Sequence, residues 1–432
     1  MSFWKKSRYF AVFLTAACAM QFCAGCSVPF LEKQESDGSG YLFTASLPAN
    51  PKSLDPQSAT DAASKTIMEN LYEGLVELDE NGSPQLAAAE SYTTSADGLV
   101  YTFLLKNDRY WFYDANQDDV VDDDETWKVT ASDYAYAFQR IFDPQTQSPY
   151  TTMFSCLQNA DAVQSGQLDP SEIGVRAVSD TELQFTLSRP DAEFLTNLAS
   201  TAAMPCNENF FQQTKGRYGL DKESVASCGA FYLRLWFYDQ YGNQNQIFMR
   251  RNATNAKARS VYPTNLTFQI RKSSDEAAAD FTDGTSDLMT SSVYQPQYME
   301  SDNYSVTATR SVTLGLIFNP DDTAFANAKI RKALSMGIDR ANIGGNSSGD
   351  LLPAYGLIPP AIHWNGASYR DTYPDAQTAY DPDAALALFQ QGMQELGRES
   401  LDSAKILVCA SLMDCDNLHD VIQTCLLYTS PS

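Results

Sequence analysis

Residues 41–47, YLFTASL, alternate apolar and polar positions as a half-buried strand does, and Asn50-Pro51 ends the run. Ile67, Leu71 and Leu75 then repeat at helical spacing, with Met68 and Tyr72 beside them. Tyr101, Phe103 and Leu105 return to the strand period. Thr130 and Asp133 make a capping-box pattern. Tyr134, Ala135, Phe138 and Ile141 follow on one helical face, and Asp143-Pro144 stops that helix. Further strands are predicted over 183–187, 231–237 and 266–270. A helix is predicted over 328–340, with Ile330, Ala333, Leu334, Gly337 and Ile338 on its apolar side. Asp381 at the N-cap and Pro382 in the first turn begin another, whose stripe is Ala385, Leu388, Phe389 and Leu396. A strand over 406–409 and a helix from about Asn417 complete the pattern. Strands and helices mix without a strict repeat, which predicts α/β or α+β.

The ends of the chain follow other rules. Lys5, Lys6 and Arg8 precede an uncharged apolar stretch over 9–22, and Cys23-Ala24-Gly25-Cys26 follows. This is the layout of a secretory signal peptide, too short for a comfortable membrane span. Small residues before Cys26 resemble a bacterial lipobox, so residues 1–25 are expected to be removed and Cys26 lipidated. Cys23 departs from the aliphatic residue usual at its place; the other reading is an ordinary signal with a chance cysteine. Residues 26–40 then form a polar, Gly/Ser-ended tether. At the far end, residues 425–432, CLLYTSPS, abandon the helical pattern and read like a translated sequencing adapter rather than a natural Ser/Pro tail.

Composition narrows the partners. The 432 residues allow two or three domains. A formal charge of −24, spread along the chain, argues against nucleic acid and against direct binding to anionic lipid. Of the nine cysteines, Cys156, Cys206, Cys228, Cys409 and Cys415 lie outside the two terminal segments. Cys206–Cys228 and Cys409–Cys415 are the first disulfide candidates; buried free thiols are the alternative.

One loop carries metal chemistry in its spacing. Asp114, Asn116, Asp118, Asp122 and Glu125 occupy positions one, three, five, nine and twelve of an EF-type loop, and Val120 would ligate through its carbonyl. Asp119 stands where glycine is expected, and the flanks read as strands rather than paired helices. The loop is either a calcium site or a solvated acidic hairpin loop; no other cofactor is expected. Gly345-Asn346-Ser347-Ser348-Gly349 fits GxSxG in form, but a helix rather than a strand precedes it. No P-loop, GxGxxG or HExxH occurs, so no enzyme is expected.

Three runs bind these pieces together: SLDPQSATDAAS over 53–64, LYEGLVELDENGSPQLAAAESYTTSADGLVYTFLLKN over 71–107, and VTASDYAYAFQRIFDPQTQSPY over 129–150. VASCGAFYLRLWFY, IFNPDDTAFANAKIRKALSMGIDRANI, LLPAYGLIPP and AYDPDAALALF follow in order. The second of these carries Arg331, Ala333, Leu334, Asp339 and Arg340 at matching places. The series resembles the bacterial extracellular solute-binding proteins of family five over about residues 41–424.

The resemblance implies a two-lobed periplasmic-binding-protein-like (type II) α/β fold, with a hinge between the lobes and an extra subdomain in lobe I. Lobe I is expected over 41–60 and 175–270, the subdomain over 61–174, and an incomplete lobe II over 271–424. It also implies a monomeric, lipid-anchored, extracytoplasmic lipoprotein that hands oligopeptides to the membrane subunits of an ABC importer. Peptides would be held extended, as an added strand. The matching edge is Ala59-Thr60-Asp61, and Tyr150 matches a cleft aromatic. Cys228 and Gly229 sit where the family has Asn-Gly near the hinge. His419 matches a histidine that meets the carboxylate end of certain peptides. A turn, core or surface role is the alternative at each position. The same scaffold binding another solute (a sugar, a metal chelate or a cell-wall peptide), or a calcium-dependent surface interaction module, are the competing functions.

Overall fold

The computed structural model describes residues 41–401 except 80–81, 243, 272, 292–295, 300, 308, 342–351, 365–366, 375–379 and 400. The expected strand at 406–409, the helix near Asn417, His419, Cys26, Cys409 and Cys415 lie outside the described residues.

Among the described residues, twelve strands and five longer helices carry the architecture, beside a two-residue strand pair at His363–Trp364 and Ala367–Ser368. The strands are β1 (Leu42–Leu47), β2 (Val76–Leu78), β3 (Pro84–Leu86), β4 (Ala89–Thr94), β5 (Val100–Leu105), β6 (Tyr110–Phe112) and β7 (Thr126–Lys128). Then come β8 (Val175–Ala177), β9 (Glu182–Thr186), β10 (Phe231–Phe237), β11 (Gln246–Arg251) and β12 (Asn265–Ile270). The helices are α1 (Ala62–Leu71), α2 (Ala131–Phe142), α3 (Ser274–Thr282), α4 (Ala328–Gly337) and α5 (Pro382–Glu395).

The first sheet has the order β1-β12-β11-β10. β1 runs parallel to β12, pairing Ala45 with Phe268, while β11 is antiparallel to both of its neighbours. The second sheet, β4-β5-β9-β8, is antiparallel throughout. It takes β8 and β9 from beyond residue 174, so the boundary expected there cuts through a sheet. Ladder hydrogen bonds join 175–186 to the subdomain strands instead. β6 and β7 form a separate hairpin around the acidic loop, so its flanks are strands, as the sequence predicts.

The helices start and stop for local reasons. Asp61 caps α1 by accepting the Ser64 N–H at 2.9 Å and the Ser64 hydroxyl at 2.7 Å. Ile67, Met68 and Leu71 then face the core with no exposure. The helix ends at Leu71, before Leu75 of the expected stripe. The Leu71 carbonyl accepts instead from the backbone N–H groups of Cys228 and Gly229, at 2.9 and 2.8 Å. In α2, Asp133 reaches back to the Thr130 N–H at 2.8 Å, completing the predicted capping box. α4 stops at Gly337, three residues short of the predicted end. The Arg340 guanidinium donates to the Ser335 carbonyl of its last turn at 2.8 Å, satisfying an orphan acceptor.

Among the described residues the core falls into two clusters. The large one runs from Ala45 to Ile270 through both sheets, α1 and α2. The small one packs α4 on α5 through Ala324, Ile330, Ala333, Phe389 and Met393. The helices come so close that a Cβ on Gly392 would lie 2.7 Å from Ile330 Cγ1.

One charged residue sits deep in the large cluster. Arg140 of α2 donates to both carboxylate oxygens of Asp55, at 2.8 and 2.6 Å, and to Gln57 Oε1 at 2.7 Å. Removing one partner of such a pair leaves a buried charge uncompensated. Asp55→Ala should therefore lower the unfolding free energy by about 3–5 kcal/mol. Urea denaturation followed by far-UV circular dichroism measures this; a loss below about 1 kcal/mol would mean that water already solvates Arg140.

Candidate functional site

The expected peptide edge hangs from that buried arginine. Arg140 holds Asp55 and Gln57 in place, and Gln57 Nε2 in turn donates to the carbonyls of Met204 at 2.9 Å and Ala202 at 3.2 Å. The Gln57 carbonyl accepts the Ser148 hydroxyl at 2.6 Å. The Ala59 N–H closes a turn onto the Asp55 carbonyl at 2.9 Å, and the Tyr150 hydroxyl donates to the Ala59 carbonyl. These successive constraints bring the chain to Thr60, which is exposed. Its backbone N–H and C=O bond to no other described residue. At Asp61 the chain turns into α1.

The candidate residues have different surroundings. Ala59 is buried, Thr60 exposed, and Asp61 is committed to capping α1. Tyr150 is 7% exposed and braces Ala59, with Lys65 Nζ 5.9 Å from its ring centroid. Burial pushes its phenol pKa above the ordinary value. Cys228 and Gly229 lie inside the core against the end of α1. Their carbonyls accept from the side-chain amides of Asn255 and Asn252. A Cβ on Gly229 would stand 2.8 Å from Asn70 O, Leu71 C and Tyr72 N, so only glycine fits this close approach. The Cys228 thiol, 1% exposed, has its pKa pushed well up by burial.

Cys206 and Cys228 are both free and buried, so the disulfide expected between them is not formed. Cys206 belongs instead to the Arg140 network, with its sulfur 3.5 Å from Nη1. Its pKa is pushed up to about 12, first by burial, against the lowering influence of Arg140.

Sequence reasoning missed the polar supports. Gln57 has no exposure, Ser148 is buried, and Arg140 stacks 4.2 Å from the Phe211 ring centroid. A signal existed: Arg140 immediately precedes the apolar pair Ile141 and Phe142 at the end of an apolar helical face. A second buried pair, Arg109 with Glu73 at 2.6 Å, was likewise missed.

The acidic loop lies apart from this edge, against β10 and β11. Asp119 adopts the left-handed conformation, φ +63°, that its glycine-like place requires. The ladder pairs Leu233 with Met249 and Leu235 with Phe248, leaving Arg234 as a bulge residue. The bulge aims Arg234 at Asp119, 2.6 Å away, and Arg250 meets the other carboxylate oxygen at 3.0 Å. Among the described residues, no three His, Cys, Asp or Glu side chains already converge as a metal-binding group.

Comparison with known proteins places the chain. The family model for bacterial extracellular solute-binding proteins, family 5 (middle region), matches residues 83–413. The dipeptide-binding protein of Lactococcus lactis subsp. cremoris is 27% identical over 372 residues, covering 82% of this chain and 64% of the relative. The oligopeptide-binding protein OppA of Bacillus subtilis is 25% identical over 383 residues, covering 84% of this chain and 64% of the relative. This chain therefore spans less than two thirds of the length of either. Listeria monocytogenes OppA bound to peptide superposes with a TM-score of 0.71 at 24% identity, over 90% of this chain and 75% of that one. The pheromone receptor PrgZ gives a TM-score of 0.68 at 23% identity, over 82% and 68% of the respective chains. The fold is thus the two-lobed α/β type that the family resemblance implies.

Proposed function

The chain belongs to the bacterial extracellular solute-binding proteins, family 5, and we propose that it captures extended oligopeptides between its lobes and passes them to the membrane subunits of an ABC importer. The observation that carries this reading is the open backbone at Thr60, held at the end of a braced and buried approach. An extended peptide offers the same N–H and C=O groups at every residue. A fixed strand edge therefore gives affinity without demanding a particular sequence. Two relatives named for dipeptide and oligopeptide binding support the peptide reading. Ala59 and Tyr150 serve here as the brace behind the edge, and Cys228 and Gly229 as the packing that holds β10 to α1. His419 is proposed to meet the peptide carboxylate. No catalytic role is proposed for any residue.

Native mass spectrometry of the complete protein, purified without added ligand, tests this reading. A ladder of mixed peptide masses is the expected result. A single sugar or metal complex in their place would move the assignment to another solute. A protein recovered without any trapped solute, and unresponsive to peptide mixtures, would overturn it.

The site works outside the cytoplasm on this account, with Cys26 lipidated and residues 27–40 as the tether. Support comes from the charged, apolar and small-residue layout of residues 5–26. Among the described residues no helix is long and apolar enough to cross a membrane. In a bacterial host, Cys26→Ala should move the protein from the membrane fraction to the soluble fraction and abolish labelling by a fatty-acid probe. Wild-type protein that takes no label would end the lipid-anchor reading.

A further inference from the structure

Two buried oxygen atoms in the β6–β7 hairpin have no donor among the described residues. Asp114 Oδ1 and Glu125 Oε2 are shut off from solvent and make no hydrogen bond. The Asp114 side chain is 6% exposed and Glu125 is 5% exposed. A carboxylate oxygen in that position gives up its hydration without replacement, a cost that native structures rarely leave standing. The rest of the neighbourhood does not relieve it. Arg234 contacts Asp119 and the Gln117 carbonyl, Arg250 contacts Asp119, and the Arg234 nitrogen paired with Asp114 lies 3.9 Å from its other oxygen. The second oxygen of Glu125 accepts the Ala115 N–H at 2.8 Å, which fixes the carboxylate with its orphan atom turned away from that donor.

These two residues are the first and last positions of the twelve-residue spacing that the sequence marks. The intervening turns bring the intermediate positions to the same loop. Asn116 Oδ1 accepts the Asp118 N–H at 2.9 Å, and Asp118 Oδ1 accepts the Val120 N–H at 2.8 Å. Asp119, at the sixth position, spends its charge outward. Its oxygens go to Arg234, Arg250 and the Tyr232 hydroxyl, which explains how an aspartate holds a glycine-type φ there. It is an anchor for the loop, not a ligand.

We propose that this hairpin is a calcium site. Asp114, Asn116, Asp118, the Val120 carbonyl, Asp122 and Glu125 supply the oxygens, and the orphan atoms of Asp114 and Glu125 are the preformed ends. The donor set is all oxygen, with no thiolate or imidazole, which suits a hard cation. The cage is not closed beforehand, since no three acidic groups yet converge. Asp118 is exposed and Asp122 half-buried, so both have room to move inward. Calcium tolerates six to eight ligands in irregular geometry, whereas magnesium demands a near-ideal octahedron; the loop favours the former. The ion would clamp the hairpin to β10 and β11 through the Asp119 anchor and thereby stiffen the subdomain.

The test uses the full chain, stripped with a chelator and titrated with calcium chloride or magnesium chloride by calorimetry, with parallel melting curves. One calcium per chain is expected, with a dissociation constant on the order of 10⁻⁴–10⁻³ M as in extracellular modules, and a calcium-specific rise in melting temperature. Asp118→Ala should weaken calcium by roughly tenfold or more, because it removes one charged ligand. Its side chain makes only one local hydrogen bond, so the variant should still fold. Glu125→Gln should abolish binding. Asp124→Asn, exposed and off the ligand positions, should leave the affinity within about twofold. No heat and no melting shift with millimolar calcium, an equal response to magnesium, or an unchanged affinity in Asp118→Ala would each overturn the proposal.

Discussion

The buried Arg140–Asp55 pair is the constraint on which the candidate site depends. Taking two charges out of water costs several kcal/mol per ion, and their mutual attraction offsets this only when the remaining polar atoms are also satisfied. Here both Asp55 oxygens accept from the guanidinium and Gln57 accepts a further bond, while the buried Arg140 Nε has no hydrogen-bond partner among the described residues. The flat faces of the guanidinium meet Phe211 and Tyr218, at 4.2 and 5.2 Å from their ring centroids. Burial by itself would lower the Arg140 pKa, but the Asp55 carboxylate, together with Cys206 and Tyr218, raises it above its ordinary value. The geometry, rather than net energy, is what the pair supplies: it ties a helix of the subdomain to the segment that becomes the edge at Thr60.

That edge then inherits its rigidity from both sides. Upstream, the Leu54 N–H donates to the Gly219 carbonyl at 2.7 Å. Gly219, at φ +74°, lies so close to the backbone of 54–55 that a Cβ would meet Asp55 N at 2.4 Å. Downstream, the Asp61 cap sets the start of α1, whose far end accepts Cys228 and Gly229. The later chain also returns to the first sheet. The Ser46 N–H donates to the Leu288 carbonyl at 2.9 Å, and the Asp287 side chain accepts the Thr44 N–H at 2.8 Å. Residues 286–290 thus extend the open side of β1.

Much of this was legible in the chain, and the reasons for the failures are physical. β9, β12 and the second half of β5 alternate because one face is buried and the other is not, whereas β1 and β10 are buried over consecutive residues and were legible from the Asn50-Pro51 stop and from four aromatics in seven residues. β4, AESYTT, and β11, QIFMRR, escaped notice. The first has one buried residue in six, and the second has three consecutive buried residues in place of alternation. Asp381 and the Thr130–Asp133 box marked their helix starts correctly because caps act within one turn. Helix ends were placed too far along at Leu75 and Arg340: the distant Cys228 and Gly229 take the Leu71 carbonyl, and the Arg340 side chain folds back onto the Ser335 carbonyl. The identity of the edge came from resemblance and not from spacing. Its supports, Gln57, Ser148 and Arg140, are polar residues whose burial depends on contacts some 80 to 150 residues away in sequence. Cys206 and Cys228 illustrate the same limit: spacing allowed a disulfide, and packing kept two separate thiols.

Amide hydrogen exchange of the complete protein, with and without a saturating peptide mixture, reports most directly on whether the braced edge is the ligand-binding strand. The amides of residues 59–61 should exchange markedly more slowly with peptide bound, because main-chain hydrogen bonds to the ligand would cover the Thr60 N–H. Unchanged exchange at those residues, in a protein shown to hold peptide, would place the ligand elsewhere and contradict the assignment.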